Sequence, residues 1–147
     1  MFDVLTIDTK DIIFTIKARD MCRSCKRYGK KACCPPNVES IEYYENAILQ
    51  YSHAEFFYKE YQLKDYEGES DAGHKSSLEL QKVLLARRSE LIQGGSIFAT
   101  AYGGGSCKIC KQCSPVCRYP EKSLIPLETA GIEVFATMQK QGVVFYD

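Results

Sequence analysis

The stretch LELQKVLLARRSELIQ, residues 78–93, predicts an amphipathic helix at the centre of the fold. Four apolar side chains share one face of this helix: Leu80, Val83, Leu84 and Leu91. Gly94 is placed to end it. The segment AEFFYKEYQL before it (54–63) is rich in aromatic residues, which favours a strand. SIFATAY after it (96–102) is short and largely apolar, as buried strands are. Strand, helix and strand in this order predict a right-handed crossover.

The segments outside this unit predict a hairpin, two more helices and a closing strand. DVLTID and IIFTIK flank the polar turn TKD, so residues 3–17 read as an N-terminal hairpin. A helix is expected over about residues 41–51, because Asn37 or Ser40 can cap it. A last helix is expected from Pro126 to Gly142, with one shared apolar face. Its members are Leu127, Ala130, Val134 and Met138.

Two segments remain, and they complete the predicted fold. The polar tract KDYEGESDAGHKSS, residues 64–77, reads as a loop, and VVFY, residues 143–146, reads as a strand that closes the sheet. The fold class is therefore α/β or α+β. We expect one domain over residues 1–147, with a mixed sheet, three helices and two cysteine-rich metal-binding loops.

Composition narrows the class of protein. Lys plus Arg and Asp plus Glu each number 19, so the formal net charge is zero, which argues against a nucleic-acid or membrane-surface binder. The N-terminus has acidic residues where a signal peptide has basic ones, and no apolar stretch reaches the length of a membrane span. We therefore expect a cytoplasmic protein. Because disulfides are rare there, eight cysteines in 147 residues indicate metal binding.

The C-terminal cysteine packet, CKICKQCSPVCRYP (107–120), has the spacing C-x2-C-x2-C-x3-C of bacterial ferredoxins. Its candidate ligands are Cys107, Cys110, Cys113 and Cys117. A tight loop with cysteines three apart can supply three separate irons of a [4Fe-4S] cluster, whereas one zinc ion prefers two well-separated knuckles. Zinc remains the alternative. Pro120 follows the fourth cysteine after two intervening residues, which departs from the ferredoxin pattern. The glycines 103–105 before the packet would let backbone N–H groups approach the sulfurs.

The N-terminal packet, CRSCKRYGKKACCPP (22–36), is less regular and fits a second cluster, a cluster with one non-cysteine ligand, or zinc. Cys22 and Cys25 form a knuckle. Successive side chains of an extended chain point to opposite faces, and the residue before a proline favours extended conformations. Either Cys34 completes the ligand set with help from elsewhere, or Cys33 is the ligand and Cys34 is a packing residue. The extended conformation favours Cys34 as the ligand and Cys33 as a small apolar side chain of the core, so that Cys33→Ala would keep the metal.

Four segments together resemble a family of predicted metal-binding proteins, the DUF2284 family. They are CRSCKRYGKKACCPPN, YGGGSCKICKQC, VCRYPEKS and LETAGIEVFATMQKQG, and the likeness runs from about Arg19 to Gly142. The resemblance implies seven ligands: Cys22, Cys25, Cys34, Cys107, Cys110, Cys113 and Cys117. The position of Cys33 is not typically cysteine in that pattern. The family carries no settled activity.

Three functions follow from these residues. The first is a small iron–sulfur protein, with one or two [4Fe-4S] clusters, that transfers electrons or senses redox state with a partner protein. The second is a zinc-stabilised binding module without redox activity. The third is an enzyme whose incompletely ligated cluster acts as a Lewis acid. Because the fourth cysteine of a ferredoxin run can cross to another cluster, we also expect the two packets to lie close in space.

Overall fold

The computed structural model describes residues 1–120 and 122–144, and within these residues it contains four helices and two sheets of two strands each. In chain order the elements are β1 (Asp3–Asp8), α1 (Ile16–Asp20), α2 (Ile41–Leu49), β2 (His53–Tyr58), α3 (Glu69–Gln93), β3 (Tyr102–Gly103), β4 (Ile125–Pro126) and α4 (Val134–Lys140). The predicted mixed α/β class is confirmed. The single mixed sheet with three helices is replaced by two small sheets with four helices in this part of the chain.

The N-terminal hairpin prediction is wrong, because β1 pairs antiparallel with β2, with Asp3 opposite Tyr58 and Asp8 opposite His53. A 3-10 turn over Thr9–Asp11 follows β1, capped by the Asp8 side chain, which accepts a hydrogen bond from the Lys10 N–H at 2.9 Å. Buried Thr9 then donates its hydroxyl proton to the Tyr51 carbonyl at 2.6 Å. These bonds tie the end of β1 to the chain before β2, so the next segment does not fold back along β1.

Helix α3 begins at Glu69, so most of the tract predicted as a loop is helical. Its first turns are polar and largely exposed, and a solvated helix shows no apolar periodicity. Glu69 and Asp71 place negative charge at the N-terminus, where the helix dipole favours it. Asp71 also forms an i,i+4 ion pair with Lys75 at 3.1 Å. The predicted end of the helix at Gly94 is confirmed.

The crossover prediction is wrong, because the strands on either side of α3 belong to different sheets. Of the segment 96–102 only Tyr102 is in a strand, and β3 pairs in parallel with β4. Ile97 and Phe98 are 65% and 76% exposed, so this apolar run is not a buried strand.

The C-terminal helix starts later than predicted, since Pro126 belongs to β4 and α4 begins at Val134. The intervening turn ends at Gly131, which has a φ of +85°, a value that favours glycine. A Cβ at Gly131 would lie 2.5 Å from Cγ2 of Ile41, so the turn also packs closely on α2. Phe145 and Tyr146 of the predicted closing strand lie outside the described residues, and residues 143–144 are not in a strand.

The apolar core joins β1, α2 and the turn before α4. Its buried members are Ile7, Ile12, Tyr44, Ile48, Ala130 and Ile132. Helix α2 begins as predicted after Ser40, whose hydroxyl accepts the Tyr43 N–H at 3.1 Å. In the described part of the chain, no helix has the length and apolar character that crossing a bilayer demands. Since Tyr44 and Ile48 of α2 belong to the core, the core fixes the end of the N-terminal cysteine loop that joins α2.

An ion pair between α3 and β2 predicts a pH-dependent stability. The Arg87 guanidinium donates to both carboxylate oxygens of Glu55, at 2.8 and 2.9 Å, and holds the pKa of that carboxyl below its usual value. Because the folded-state pKa lies below the unfolded-state value of about 4.3, the pair stabilises the fold fully above about pH 4.3. This contribution is lost as pH falls from that value through the folded-state pKa. Arg87→Met should therefore destabilise the protein at pH 7 and make less difference near pH 3.

Urea unfolding of the wild type and of Arg87→Met at both pH values measures this difference, since contributions common to both proteins cancel. Lys82→Met, which removes an exposed cation from the same helix, is the matched control. An Arg87→Met deficit that is equal at the two pH values would show that the ion pair does not carry the effect.

Candidate metal centre

The knuckle of the N-terminal packet is formed by the turn that follows α1. Cys22 lies in a 3-10 turn over Met21–Ser24, and the Cys25 N–H closes it on the Cys22 carbonyl at 3.0 Å. The Cys22 sulfur lies 3.8 Å from the Thr129 hydroxyl oxygen. Burial raises the pKa of the Cys22 thiol, and the nearby Cys25 raises it further. The knuckle is therefore half-buried on one side and exposed at Cys25.

Cys33 and Cys34 are both buried, with 1% and 8% of their surface exposed. Their sulfurs lie 3.9 Å apart, so the expectation that the two side chains point to opposite faces is wrong. The chain is bent here, because the Cys34 N–H bonds to the Lys31 carbonyl at 3.1 Å and the Asn37 N–H to the Cys34 carbonyl at 3.0 Å. The hydrogen bond between the two thiols lowers the pKa of Cys33 to about 6 and raises the pKa of Cys34. The charge of Cys25 also raises the pKa of Cys34.

The two packets touch at Cys33. The backbone N–H of Cys107 donates to the Cys33 sulfur at 3.4 Å, so the expectation that the packets lie close in space is confirmed. A small cavity of about 20 Å³ lies at this contact, and five cysteines line it: Cys33, Cys107, Cys110, Cys113 and Cys117. Cys33 therefore borders the C-terminal packet, and it is not a purely apolar core residue.

Gln81 of α3 holds the start of the C-terminal packet with both ends of its amide. It is 6% exposed, and its Nε2 donates to the Cys107 sulfur at 3.3 Å while its Oε1 accepts the Lys108 N–H at 2.7 Å. Sequence reasoning missed Gln81. The one available signal was that Gln81 is a polar residue next to the apolar face of the predicted helix. Polar side chains are seldom buried unless they have a hydrogen-bond partner.

Two lysines bring positive charge to the same place. The Lys31 ammonium donates to the Cys107 carbonyl at 3.2 Å and to the Ser106 hydroxyl at 3.3 Å. Lys108 donates to Ser106 at 3.1 Å, and burial, with Arg27 and Lys31 nearby, lowers its pKa. The Lys31 charge also helps to lower the pKa of the Cys33 thiol, so it favours the thiolate at Cys33.

The glycines before the packet allow close approach to α3. A Cβ at Gly104 would lie 2.6 Å from Cδ2 of Leu80, and one at Gly105 would lie 2.9 Å from the Ser77 hydroxyl oxygen. The observed role of these two glycines is therefore contact with the helix, and the N–H that reaches a sulfur belongs to Cys107. This contact places Cys107 beside Gln81.

The arrangement gathers sulfurs around a small volume but does not form a closed site for one ion. Among residues 1–120 and 122–144, no three His, Cys, Asp or Glu side chains converge closely enough to hold a metal ion. A zinc site would need four sulfurs to close around a single point, whereas a cluster takes its thiolates at separate irons.

Comparison with known proteins gives one family. The family described as predicted metal-binding protein (DUF2284) matches residues 5–146, nearly the whole chain. No curated protein and no solved structure matches the chain.

Proposed function

We propose, since this chain belongs to the DUF2284 family of predicted metal-binding proteins, that its cysteines hold [4Fe-4S] clusters and exchange electrons with a partner protein. The C-terminal centre would use the ferredoxin-like run of Cys107, Cys110, Cys113 and Cys117, with Cys33 at its border. The N-terminal centre would use Cys22, Cys25 and Cys34. Eight cysteines without a disulfide favour a reducing compartment, the cytoplasm.

The observation that carries this proposal is the lining of the small cavity between the packets. Five cysteines border it, and two of their sulfurs each accept an N–H hydrogen bond, one from Gln81 and one from the Cys107 backbone. Hydrogen bonds to sulfur and nearby cations stabilise the negative charge of cluster thiolates. A cluster bound here would supply one-electron transfer, and these donors would set its reduction potential.

The partner protein is proposed from exposure around the C-terminal packet. Val116 is 80% exposed and Tyr119 46% exposed, and Cys117 lies between them. A centre so near the surface leaves a short path for an electron to a docked protein. No further substrate-binding constellation is needed for this role.

The direct test is anaerobic purification followed by metal and sulfide analysis. We expect brown protein with iron, acid-labile sulfide and a broad absorption near roughly 400 nm that bleaches on reduction. Colourless protein with stoichiometric zinc and no sulfide would replace the proposal with a zinc-stabilised module.

Replacement of Gln81 tests its role as a positioning residue. Gln81→Leu removes the donor to the Cys107 sulfur, so the reduction potential of the centre should fall while iron is retained. Gln81→Glu should lower it further, because it replaces the same donor with negative charge. Redox titration followed by electron paramagnetic resonance gives the potentials.

Gln93→Leu is the matched control, since Gln93 is exposed at the far end of the same helix. If Gln81→Leu and Gln81→Glu shifted the potential in opposite directions, or by no more than Gln93→Leu does, the hydrogen bond to sulfur would not set the potential.

A further inference from the structure

A second and much larger cavity lies apart from the cysteine-lined one. It has a volume of about 600 Å³, within the roughly 300–1,000 Å³ typical of small-molecule sites. Its walls come from β2, from α3 and from residues 95–102, and its floor reaches the core at Ile48 and Ile132. We call it the leucine cavity, after Leu80, Leu84 and Leu91 of α3, which line it.

This cavity leaves the apolar face of α3 only partly covered. All three leucines are only partly buried, and the buried residues of α3 in the described structure are Ala72 and Gln81 alone. Across the cavity, Phe98 is 76% exposed. Apolar side chains facing an open cavity from two sides gain free energy when an apolar molecule displaces the water between them.

The residues that line the leucine cavity indicate which kind of ligand it can bind. Five phenylalanine and tyrosine residues contribute to the walls: Tyr51, Phe56, Phe57, Phe98 and Tyr102. Glu55 and Arg87 also line the cavity, and they form two hydrogen bonds with each other. Arg88 has an interaction partner as well. In the described residues, no buried side-chain nitrogen or oxygen lacks a hydrogen-bond partner. The walls therefore offer aromatic and aliphatic surface, and they do not require the ligand to carry a charge.

We propose that the leucine cavity binds a neutral, flat, largely apolar organic molecule. The site is distinct from the cysteine centre, and α3 contributes residues to both. Leu80 lines the cavity and lies against Gly104, and the next residue, Gln81, holds the Cys107 sulfur. A bound molecule would thus lie close to the turn of α3 that also contacts the C-terminal packet. This binding does not depend on which metal the cysteines hold.

Titration with the neutral, flat dye Nile red tests the proposal on the full-length, anaerobically purified protein. We expect a saturable rise in fluorescence that fits one site. Leu84→Trp fills the cavity, and Phe98→Asp places a charge at its edge, where the exposed side chain leaves the fold intact. Each variant should bind the dye at least about tenfold more weakly. Leu63→Trp, at a 54% exposed position outside the cavity, is the matched control for Leu84→Trp and should bind normally.

Three results would overturn the proposal. The first is a failure of the dye to saturate, and the second is equal binding by the wild type and the Phe98→Asp variant. The third is a dimer in analytical ultracentrifugation that Phe98→Asp converts to a monomer, since the face would then be an interface between copies. Iron and sulfide measured on the same samples keep the two proposals separate. Dye binding without iron would sink only the cluster, and iron without dye binding would sink only this site.

Discussion

Cys110→Ser protein should contain about one cluster's worth less iron and sulfide than the wild type when both are purified anaerobically. Cys110 lines the small cavity together with four other cysteines, in the run whose spacing suits a cubane. A serine hydroxyl at this position is a much weaker ligand for iron than a thiolate, because it stays protonated at neutral pH. Iron and acid-labile sulfide per chain, with the absorption spectrum, give the measurement.

Ser114→Ala is the control for this substitution. Ser114 lines the same cavity without a sulfur, and its hydroxyl donates to the Val116 carbonyl at 2.8 Å. Its loss removes one exposed hydrogen bond of the loop and no ligand, so iron should be retained. Full iron in Cys110→Ser, or an equal loss in Ser114→Ala, would show that the thiolate of Cys110 does not hold the centre.

The adjacent pair Cys33 and Cys34 should act on different centres. Cys34→Ala should empty the N-terminal centre, since buried Cys34 is the third ligand proposed for that centre, with Cys22 and Cys25. Cys33→Ala should lower the iron of the C-terminal centre instead, because its sulfur borders that packet and accepts the Cys107 N–H. From the sequence alone, Cys33→Ala was expected to keep the metal.

Double variants with Cys110→Ser separate the two assignments, because losses at one centre do not add and losses at two centres do. Cys33→Ala with Cys110→Ser should contain as much iron as Cys110→Ser alone. Cys34→Ala with Cys110→Ser should lose iron from both centres. Full iron in the single variant Cys33→Ala would return Cys33 to the role of a core side chain.

The sequence predicted elements whose signals are local. Helix α2 was predictable from the Ser40 cap, and the end of α3 from Gly94. Strand partners were not, because DVLTID suits a hairpin and a distant strand equally well, and the choice depends on bonds such as that from Thr9 to Tyr51. The polar start of α3 was also missed, since a solvated helix has no apolar face to detect.

The candidate site, like the fold, has residues that the sequence predicted and residues that it did not. The cysteines stand out by their spacing, so all eight were candidates from the sequence. The position of Cys33 was not predictable, because it depends on a bend that brings two sulfurs to 3.9 Å. Gln81 was not predictable either, since nothing in its neighbours along the chain indicates a sulfur on the other side of it.

The pairing of β1 with β2 closes a loop over residues 9–52, and all four cysteines of the N-terminal packet lie within it. Ordering a long loop costs conformational entropy, and a group that ties Cys22, Cys25 and Cys34 together would shorten the chain left to order. Metal affinity and strand pairing are then thermodynamically linked: filling the centre favours the paired strands, and folding favours the filled centre. Chelation should therefore speed amide hydrogen exchange along β1 and β2, although neither strand contains a cysteine.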